Sequence, residues 1–289
     1  MFLAHCSEIP LHYKKPLKQF NDEKAIMHRE DGFYLIENIC PHQGSIIISK
    51  LQKNMICQYH GWSWNDQGEP LGSGKTSRYC LNSSHLTIQK LYVWNDLIFT
   101  TELVNLSQYQ FNFKHMELVE YRIDEVEADS NNIVDVFLDV DHIPVVHTGV
   151  YDDIGLPNIN SVRWEYFVWG NLQLVENPHD TGEFYSTIIE EERNLPYGAA
   201  WLCVYPNSMI EWQPGSLFIT VTFPFQNGSK VFVFKYRDRR YNDKNWGINH
   251  KVWETAWQQD RIQASRIVRN SNKNLEESKI HFRNFLEKK

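Results

Sequence analysis

Two short stretches of this 289-residue chain, each holding one cysteine and one histidine, constrain its fold more than any other feature. They are Cys40-Pro-His42 and Cys57-x-x-His60, with fourteen residues between His42 and Cys57. Two thiolates and two imidazoles can hold one zinc ion tetrahedrally, or a [2Fe-2S] cluster with both cysteines on one iron and both histidines on the other. A zinc site and a [2Fe-2S] cluster would support very different chemistry.

The distribution of the ligands between the two loops favours the cluster. Zinc fingers usually pair ligands of one kind, whereas here each loop carries one cysteine and one histidine and can give one ligand to each iron. An odd number of scattered cysteines argues against a disulfide framework and for metal ligands or buried thiols; they are Cys6, Cys40, Cys57, Cys80 and Cys203. A structural zinc site and a chance grouping of core residues are the alternatives.

Both loops closely resemble the cluster loops of the Rieske non-haem iron oxygenases, in the segments CPHQG and CQYHGWSWNDQGEP. The resemblance implies a Rieske [2Fe-2S] cluster whose ligands are Cys40, His42, Cys57 and His60. The gap between the loops is a little shorter than the family commonly has, and we expect the difference to lie in a hairpin. A cluster alone would make an electron carrier, so an enzyme would need a second site that uses the electron.

The hydrophobic pattern divides the chain into two parts. Residues 24–100 contain short β-branched and aromatic runs separated by Gly, Asn and Asp, which predicts a small all-β unit. After a polar stretch, the pattern predicts a helix at 131–147 that Pro144 ends or kinks, and a C-terminal helix from about Asn249 to Leu286. Strands are predicted at 118–128, 162–176, 184–191, 199–205, 217–223 and 230–236.

Such elements predict an α+β fold in which a sheet grips a helix and leaves a pocket between them. The resemblance implies the same architecture. It places an N-terminal all-β Rieske [2Fe-2S] domain at 1–104 and a catalytic mononuclear non-haem iron domain at 117–289. The second domain is expected to be a helix-grip (START/Bet v1-like) fold with an antiparallel sheet and a long C-terminal helix.

A second candidate metal site lies in the segment DVDHIPVVHTG, which contains His142 and His147. Two histidines five residues apart, with the Pro144 distortion between them, lie near enough on one face of a helix to point at one ion. Two histidines and one carboxylate on one face of an ion leave open coordination positions, which is diagnostic of non-haem Fe(II) that activates O2. On its own, such a histidine pair is more often structural.

The spacing D-x-x-H-x-x-x-x-H resembles the iron-binding helix of the same oxygenase family. The resemblance implies Asp260, in WETAWQQDRIQASRIV, as the third iron ligand, and a solvated helix acid or a ligand role for Asp152 or Asp153 are the alternatives. It implies that Asp139 is not a ligand but a catalytic connector, hydrogen-bonded to an iron-bound histidine and to a cluster histidine of a neighbouring subunit. A head-to-tail homotrimer is therefore expected.

Net charge and hydropathy limit the classes of partner that this chain is expected to bind. The formal net charge of -7, without a basic run, gives no electrostatic footprint for nucleic acid or an anionic membrane surface. The N-terminus has no apolar core of a signal peptide, and no stretch approaches about 18 uncharged apolar residues. We therefore expect a cytoplasmic protein whose partners are small molecules or proteins.

Together these features predict the terminal component of an oxygenase. Electrons would pass from the Rieske cluster to a mononuclear Fe(II), where O2 is activated to hydroxylate or demethylate a small organic substrate. The chain lacks a flavin or nicotinamide fingerprint, so a separate NAD(P)H-dependent reductase is expected, acting directly or through a ferredoxin. The alternative is a non-catalytic Rieske electron-transfer or ligand-binding protein, against which the co-occurrence of Asp139, His142 and His147 argues.

The substrate class stays open between a quaternary amine and an aromatic compound. The run VYPNSMIEWQPGSLFITVTFPF resembles the pocket-side strands of family members that oxidise quaternary ammonium compounds. Ten tryptophans make an aromatic cage for a cation physically possible, and predicted pocket strands contain Trp164, Trp169, Trp201 and Trp212. An aromatic ring, a methoxy arene or a sterol-like compound would also suit an apolar aromatic pocket.

Overall fold

The computed structural model describes residues 1–72, 85–155, 162–176, 182–267 and 277–288. Its backbone divides into two compact units, one from Phe2 to Leu103 and the other from Val104 to Lys289 together with Met1. The predicted functional domains, 1–104 and 117–289, stay predictions. Within the described residues, no helix combines the length and the apolar composition needed to cross a lipid bilayer.

The first unit consists of short antiparallel strands, as its β-rich sequence predicts. Its described strands are β1 (Phe2–His5), β2 (Lys14–Pro16), β3 (Lys24–Arg29), β4 (Gly32–Glu37), β5 (Met55–Ile56), β6 (Ser63–Trp64), β7 (Pro70–Gly72), β8 (Ile88–Lys90), β9 (Tyr92–Trp94) and β10 (Leu97–Phe99). They form sheets of order β1-β10-β9, β2-β3-β4-β8 and β5-β6-β7. Single turns of 3-10 helix lie at Cys6–Glu8 and Lys18–Phe20.

A buried asparagine fixes the segment that leads into the first Cys/His loop. The Asn38 side chain donates to the Asp22 carbonyl at 2.7 Å and to the Ile48 carbonyl at 2.8 Å, and it accepts from the Ile48 N–H at 2.8 Å. Because a buried amide is stable only when its polar atoms are paired, these three bonds determine where β4 ends and the loop begins. Cys40 and Cys57 both lie in the hydrophobic core of this unit.

One antiparallel sheet of seven strands dominates the second unit. Its strands are β11 (Met116–Val126), β12 (Val162–Phe167), β13 (Gly170–Glu176), β14 (Tyr197–Val204), β15 (Ser208–Gln213), β16 (Ser216–Phe225) and β17 (Gly228–Asp238), in the order β11-β17-β16-β15-β14-β13-β12. The described helices are α1 (Ser130–Phe137), α2 (Ile143–Val146), α3 (Glu190–Arg193), α4 (Asp243–Arg266) and α5 (Glu277–Glu287). Turns of 3-10 helix lie at Tyr151–Ile154 and Tyr185–Thr187.

Helix α4 packs on one face of this sheet, which confirms the predicted α+β grip. The helix buries Trp253, Trp257 and Ala264 in one core cluster with sheet residues such as Phe218 and Val233. The edge of this contact is ionic: the fully buried Lys235 of β17 pairs with Glu254 of α4 and, at 2.8 Å, with Glu120 of β11. Apolar packing in the middle of the contact and these ion pairs at its edge therefore hold the two layers together.

The predicted helix at 131–147 is interrupted earlier than Pro144. Helix α1 ends at Phe137, and α2 is a single turn that begins after His142 and places Pro144 in its first turn. The interruption lies at Asp139, whose Oδ1 accepts the N–H groups of Asp141 and His142 at 3.0 and 3.3 Å. Local bonding by an aspartate competes with helix continuation, whereas proline is tolerated at a helix start.

Three other predicted elements differ from the structure. Residues 184–191 form a 3-10 turn and the start of α3 in place of the predicted strand, and 162–176 is a hairpin of β12 and β13. Gly170 allows that hairpin, because a Cβ there would lie 1.8 Å from the carbonyl oxygen of Cys203. The single C-terminal helix predicted from about Asn249 to Leu286 is two helices: α4 begins at Asp243, capped by the Asn242 side chain, and ends at Arg266, where Ile267 is extended, and α5 spans Glu277–Glu287. Residues 268–276 lie outside the described residues.

Candidate functional site

Two loops of like conformation carry the four Cys/His residues of the first unit. Each cysteine carbonyl accepts an N–H from the glycine four residues later at 2.9 Å, Gly44 for Cys40 and Gly61 for Cys57. Both glycines have φ of +72°, a conformation that other residues rarely adopt. The sequences CPHQG and CQYHG therefore fold the same way because each places glycine at the same distance from its cysteine.

These loops bring cysteine to cysteine and histidine to histidine. Burial raises the pKa of the Cys40 thiol, and a hydrogen bond with the Cys57 side chain raises it further. The ring centres of His42 and His60 are 4.7 Å apart, and His42 stacks on Trp62 at 4.7 Å with an interplanar angle of 6°. A pair of thiols beside a pair of imidazoles is the ligand arrangement of a Rieske cluster.

The spacing of the four side chains suits two irons better than one zinc ion. Among the side chains that the structure describes, no three of these four place their ligand atoms within 4.8 Å of one another. Ligands of a single tetrahedral ion lie closer together than that. In addition, Nδ1 of His60 is buried and has no hydrogen-bond partner among the described residues, so a cluster iron would satisfy it. The residues therefore fit a [2Fe-2S] cluster.

In the second unit, His142, His147 and Asp260 converge although Asp260 is 113 residues beyond His147 in the sequence. The His142 Nε2 atom lies 3.1 Å from His147 Nε2 and 3.2 Å from Asp260 Oδ1, and His147 Nε2 lies 2.9 Å from the same oxygen. Ligand atoms about 2.1 Å from an ion and at right angles to each other are about 3.0 Å apart. The three distances therefore match three ligands on one face of an octahedral ion.

The polypeptide holds these side chains in place by its turns and by α4. His142 precedes α2 and His147 follows it, so a single turn brings both imidazoles to one side, while Asp260 lies on α4. Burial by itself would raise the pKa of Asp260, but hydrogen bonds from His142 and His147 lower it below its usual value. Burial likewise would lower the pKa of His147, and the Asp260 carboxylate raises it instead. Hydrogen bonding between the carboxylate and the imidazoles therefore offsets part of the cost of burying this group.

Gln259 orients the buried imidazole of His147. Its Oε1 atom lies 2.7 Å from His147 Nδ1 and can accept only if that nitrogen carries the proton. With a metal ion bound, the other nitrogen, Nε2, would then give its lone pair to the metal, as a histidine ligand must. Sequence reasoning missed Gln259, and its position directly before Asp260 in the helix was the available signal.

Replacing Gln259 by leucine is expected to weaken metal binding at this site by roughly 10- to 100-fold, because the outer hydrogen bond fixes the tautomer and orientation of His147. Titration of Fe(II) into protein that holds its cluster but lacks the third iron measures the affinity. Gln258→Leu, on the exposed neighbouring position of α4, is the matched control and should bind as the wild type does. Equal Fe(II) affinities of the two variants would show that Gln259 does not support metal binding at this site.

Asp139 lies beside this group without joining it. Its Oδ1 is 3.9 Å from His142 Nδ1, and its Oδ2 accepts from Lys279 of α5 at 2.9 Å. Asp153, one alternative to Asp260, accepts from Lys251 at 2.7 Å, and neither Asp152 nor Asp153 belongs to the three-residue group. The connector role of Asp139 stays a prediction.

Another convergence of acids and a histidine comprises Glu120, His250 and Glu254. The Nζ of Lys235 lies among them, contacting Glu254, Glu120 at 2.8 Å and His250 at 3.0 Å. Arg122 adds two more bonds to Glu254, at 2.5 and 3.1 Å. Because two cations already neutralise these carboxylates, this group is a structural ion network and a poor site for a metal cation.

A cavity adjoins Asp260 between α1, α4 and the sheet. Its walls are mainly apolar, formed by Ile133, Val136, Phe137, Met209, Glu211, Thr220, Trp257, Asp260, Arg261 and Ala264. Glu211 is an acid in an otherwise uncharged strand, and burial raises its pKa to about 7. Sequence reasoning missed it, although a lone acid in SMIEWQ was visible.

The four tryptophans named from the sequence do not form a cage on this cavity. Trp212 lies on the opposite face of the sheet, packed against Phe111 and Tyr197, and Trp169 stacks on Phe167. Trp164 and Trp201 are on the face toward α4 but do not line the cavity wall described here, which Trp257 does. Strand alternation explains the position of Trp212, since it follows Glu211 in β15 and neighbours in a strand point to opposite faces.

Comparison with known proteins agrees with this arrangement. Residues 1–84 match the Rieske [2Fe-2S] domain family. A putrescine 2-hydroxylase of Ralstonia nicotianae is 25% identical over 237 residues, covering 74% of this chain and 62% of the relative. One from Bordetella bronchiseptica is 20% identical over 260 residues, covering 78% and 59%. This chain thus spans about six-tenths of the length of these curated relatives.

Solved structures share the fold. The quaternary ammonium Rieske monooxygenase CntA in complex with L-carnitine superposes with a TM-score of 0.65 at 15% identity, covering 92% of this chain and 76% of CntA. Pseudomonas putida CBB5 NdmA with caffeine gives a TM-score of 0.50 at 14% identity, covering 91% and 79%. The chain therefore carries a Rieske [2Fe-2S] domain at its N-terminus and shares the fold of these Rieske monooxygenase structures over most of its length.

Proposed function

We propose that this chain is the terminal component of an oxygenase that hydroxylates or demethylates a small organic substrate, an amine or an aromatic compound. The observation that carries the proposal is the close grouping of His142, His147 and Asp260, whose ligand atoms are 2.9 to 3.2 Å apart beside a cavity with mainly apolar walls. Three protein ligands on one face leave positions for substrate or O2. The neighbouring Rieske domain supports a source of single electrons within the same chain.

The proposed ligands divide between two cofactors. Cys40, Cys57, His42 and His60 would hold the [2Fe-2S] cluster, and His142, His147 and Asp260 would hold a mononuclear Fe(II). When bound, these groups supply electron transfer and O2 activation respectively.

The residues of the chain prepare that site for chemistry. Gln259 keeps a proton of His147 on Nδ1, and Asp260 contributes the negative charge of the ligand set. Phe137, Met209 and Trp257 line the adjoining cavity with apolar surface, which limits water near the reacting atoms. Each of these roles follows from a contact within the second unit.

Partners belong to the proposal as well. A separate NAD(P)H-dependent reductase, with or without a ferredoxin, would deliver the electrons, and the chain would assemble as a homotrimer in the cytoplasm. The names of similar proteins, putrescine 2-hydroxylase and quaternary ammonium monooxygenase, support a nitrogen-containing substrate. We propose no nucleic-acid or membrane partner.

Metal and sulfide analysis of the purified protein tests the proposal. We expect three irons and two inorganic sulfides per chain, and a Rieske-type EPR signal after reduction, because a [2Fe-2S] cluster and one further iron have that composition. With a surrogate reductase and O2, product should form from at least one member of a panel of diamines, methylated amines and arenes.

Other metal and sulfide contents would support the alternative functions. Stoichiometric zinc without sulfide would contradict the cluster. A cluster without a third iron, in protein reconstituted with Fe(II) under anaerobic conditions, would favour the non-catalytic electron-transfer or ligand-binding protein.

A further inference from the structure

One row of side chains crosses the sheet on the face toward α4. Cross-strand pairing places Gln173 of β13 opposite Trp201 of β14, and Trp201 opposite Glu211 of β15. Phe218 of β16 follows Glu211 in the same row. Because directly opposed residues point to the same face, Gln173, Trp201 and Glu211 lie in one row beneath α4, with Trp201 between the other two.

The carboxylate of Glu211 is only partly used by the protein. Its Oε1 accepts the indole N–H of Trp253 at 3.0 Å, which fixes the orientation of the group. Within the described ranges, no hydrogen bond to Oε2 and no ion pair with Glu211 occurs. Arg261, the cation on the same cavity wall, instead donates to the Glu125 carbonyl at 2.9 Å and lies 4.0 Å from Asp124. One carboxylate oxygen therefore remains available on the cavity wall.

Two further polar atoms in this row lack partners within the part of the chain that the structure describes. Gln173 is fully buried, and its Oε1 accepts no hydrogen bond from any residue that the structure describes. Its amide nitrogen is 3.5 Å from the carbonyl of Phe137, a residue of the cavity wall. The indole N–H of Trp201, only 4% exposed, likewise has no acceptor among the described residues. Buried polar atoms are rarely left unpaired, so this row is suited to a polar ligand.

We propose that Glu211, assisted by Gln173, binds the protonated amino group of the substrate and selects a primary or secondary ammonium over a quaternary one. The inference rests on the proposed function and narrows its substrate class. A carboxylate and an amide oxygen are both acceptors, and an ammonium with N–H groups can donate to both. A quaternary ammonium has no N–H and would leave both acceptors unsatisfied, which is the basis of strong discrimination in polar pockets.

Glu211 could instead serve only as a countercharge for the metal ion at His142, His147 and Asp260. In that role its loss would weaken iron binding and would affect all ligands of the cavity alike. As an ammonium receptor, its loss would affect only ligands that carry N–H donors and positive charge. Ligand binding without turnover therefore separates the two roles.

Calorimetric titration under anaerobic conditions, without reductase, tests the assignment on the intact protein carrying its metals. The probes are 1,4-diaminobutane, its N,N,N-trimethyl derivative, and the uncharged 1,4-butanediol. We expect the diamine to bind at least about 10-fold more tightly than the trimethyl derivative. Glu211→Gln should weaken diamine binding about 10- to 100-fold and leave butanediol within about 2-fold, because it removes only the charge.

Two further variants complete the test. Gln173→Met removes one acceptor at similar volume and should weaken diamine binding by several-fold, that is roughly 3- to 10-fold. Glu117→Gln makes the same charge change at an exposed position of β11 and should bind every probe as the wild type does. Iron content is measured for each variant, so that loss of metal is recognised.

Three binding results would overturn the proposal. These outcomes are a wild-type protein that binds no diamine, tighter binding of the trimethyl derivative, or equal diamine affinity for Glu211→Gln and Glu117→Gln. Loss of iron from Glu211→Gln with equal weakening of all three probes would assign the acid to the metal. Diamine binding that depends on Glu211 but never leads to product would uphold the receptor and contradict the oxygenase function.

Discussion

Replacing His147 by alanine is expected to remove the mononuclear iron, lower turnover by more than about 100-fold, and leave two irons and two sulfides per chain. Loss of a group that merely orients a ligand costs roughly 10- to 100-fold, so loss of the ligand itself should cost more. The His147 side chain is 1% exposed and lies within 3.1 Å of both other members of the group, so its truncation removes one of three closely placed ligands. Metal analysis, EPR of the reduced cluster and product formation are the measurements.

His250→Ala on α4 is the matched control for this experiment. His250 belongs to the second convergence of acids, where the Lys235 ammonium lies 3.0 Å away, and we expect this variant to keep three irons and full turnover. Loss of iron from His250→Ala and not from His147→Ala would show that the wrong group has been assigned. Retention of iron and turnover by Asp260→Ala would instead exclude Asp260 and direct attention to Asp152 or Asp153.

The cluster loops were predictable from the sequence because their geometry is local. Each loop closes over five residues, from Cys40 to Gly44 and from Cys57 to Gly61, through one backbone bond and one glycine. The histidine pair was predictable as well, but the reason for its convergence was not. The sequence suggested a helix distorted at Pro144, whereas the interruption arises at Asp139, whose side chain competes with the helix for backbone N–H groups.

Long-range contacts explain what sequence reasoning missed. Glu211 and Gln173 are separated by 38 positions in the chain and come into one row of the sheet only through the pairing of β13, β14 and β15. The strand predicted at 184–191 failed because β-branched and aromatic residues indicate strand only weakly, and tertiary packing overrides the preference. Asp260 was predicted as the third ligand from the family resemblance and not from sequence spacing, because no local sequence pattern connects it to His147.

Mixing two inactive variants is expected to restore activity if electrons pass between subunits. His60→Ala should lack a working cluster, and His142→Ala should lack the mononuclear iron, so each should be inactive alone. In a ring assembled at random from equal amounts, about one interface in four pairs an intact cluster with an intact iron on the next chain. We therefore expect the mixed assembly to recover up to about a quarter of wild-type turnover.

Residues on both units are compatible with such a contact. The tip of the second cluster loop is exposed, since Tyr59 is 62% exposed and its ring lies 4.0 Å from that of His60. Asp139 is partly exposed, its Oδ1 3.9 Å from an imidazole nitrogen of His142. A carboxylate in that position could accept a hydrogen bond from a cluster histidine of a second chain while remaining next to the iron ligand.

Co-assembly is established with two affinity tags purified in sequence, and metal analysis confirms that each mixed trimer carries both kinds of site. Doubly tagged assemblies with no recovered turnover would contradict electron transfer between subunits, because the intact cluster and the intact iron would then be present but unconnected. Full turnover by a wild-type monomer would contradict it independently. Recovery that disappears when Asp139→Asn is added to the His60→Ala chain would identify Asp139 as the connection, since that chain supplies the working iron.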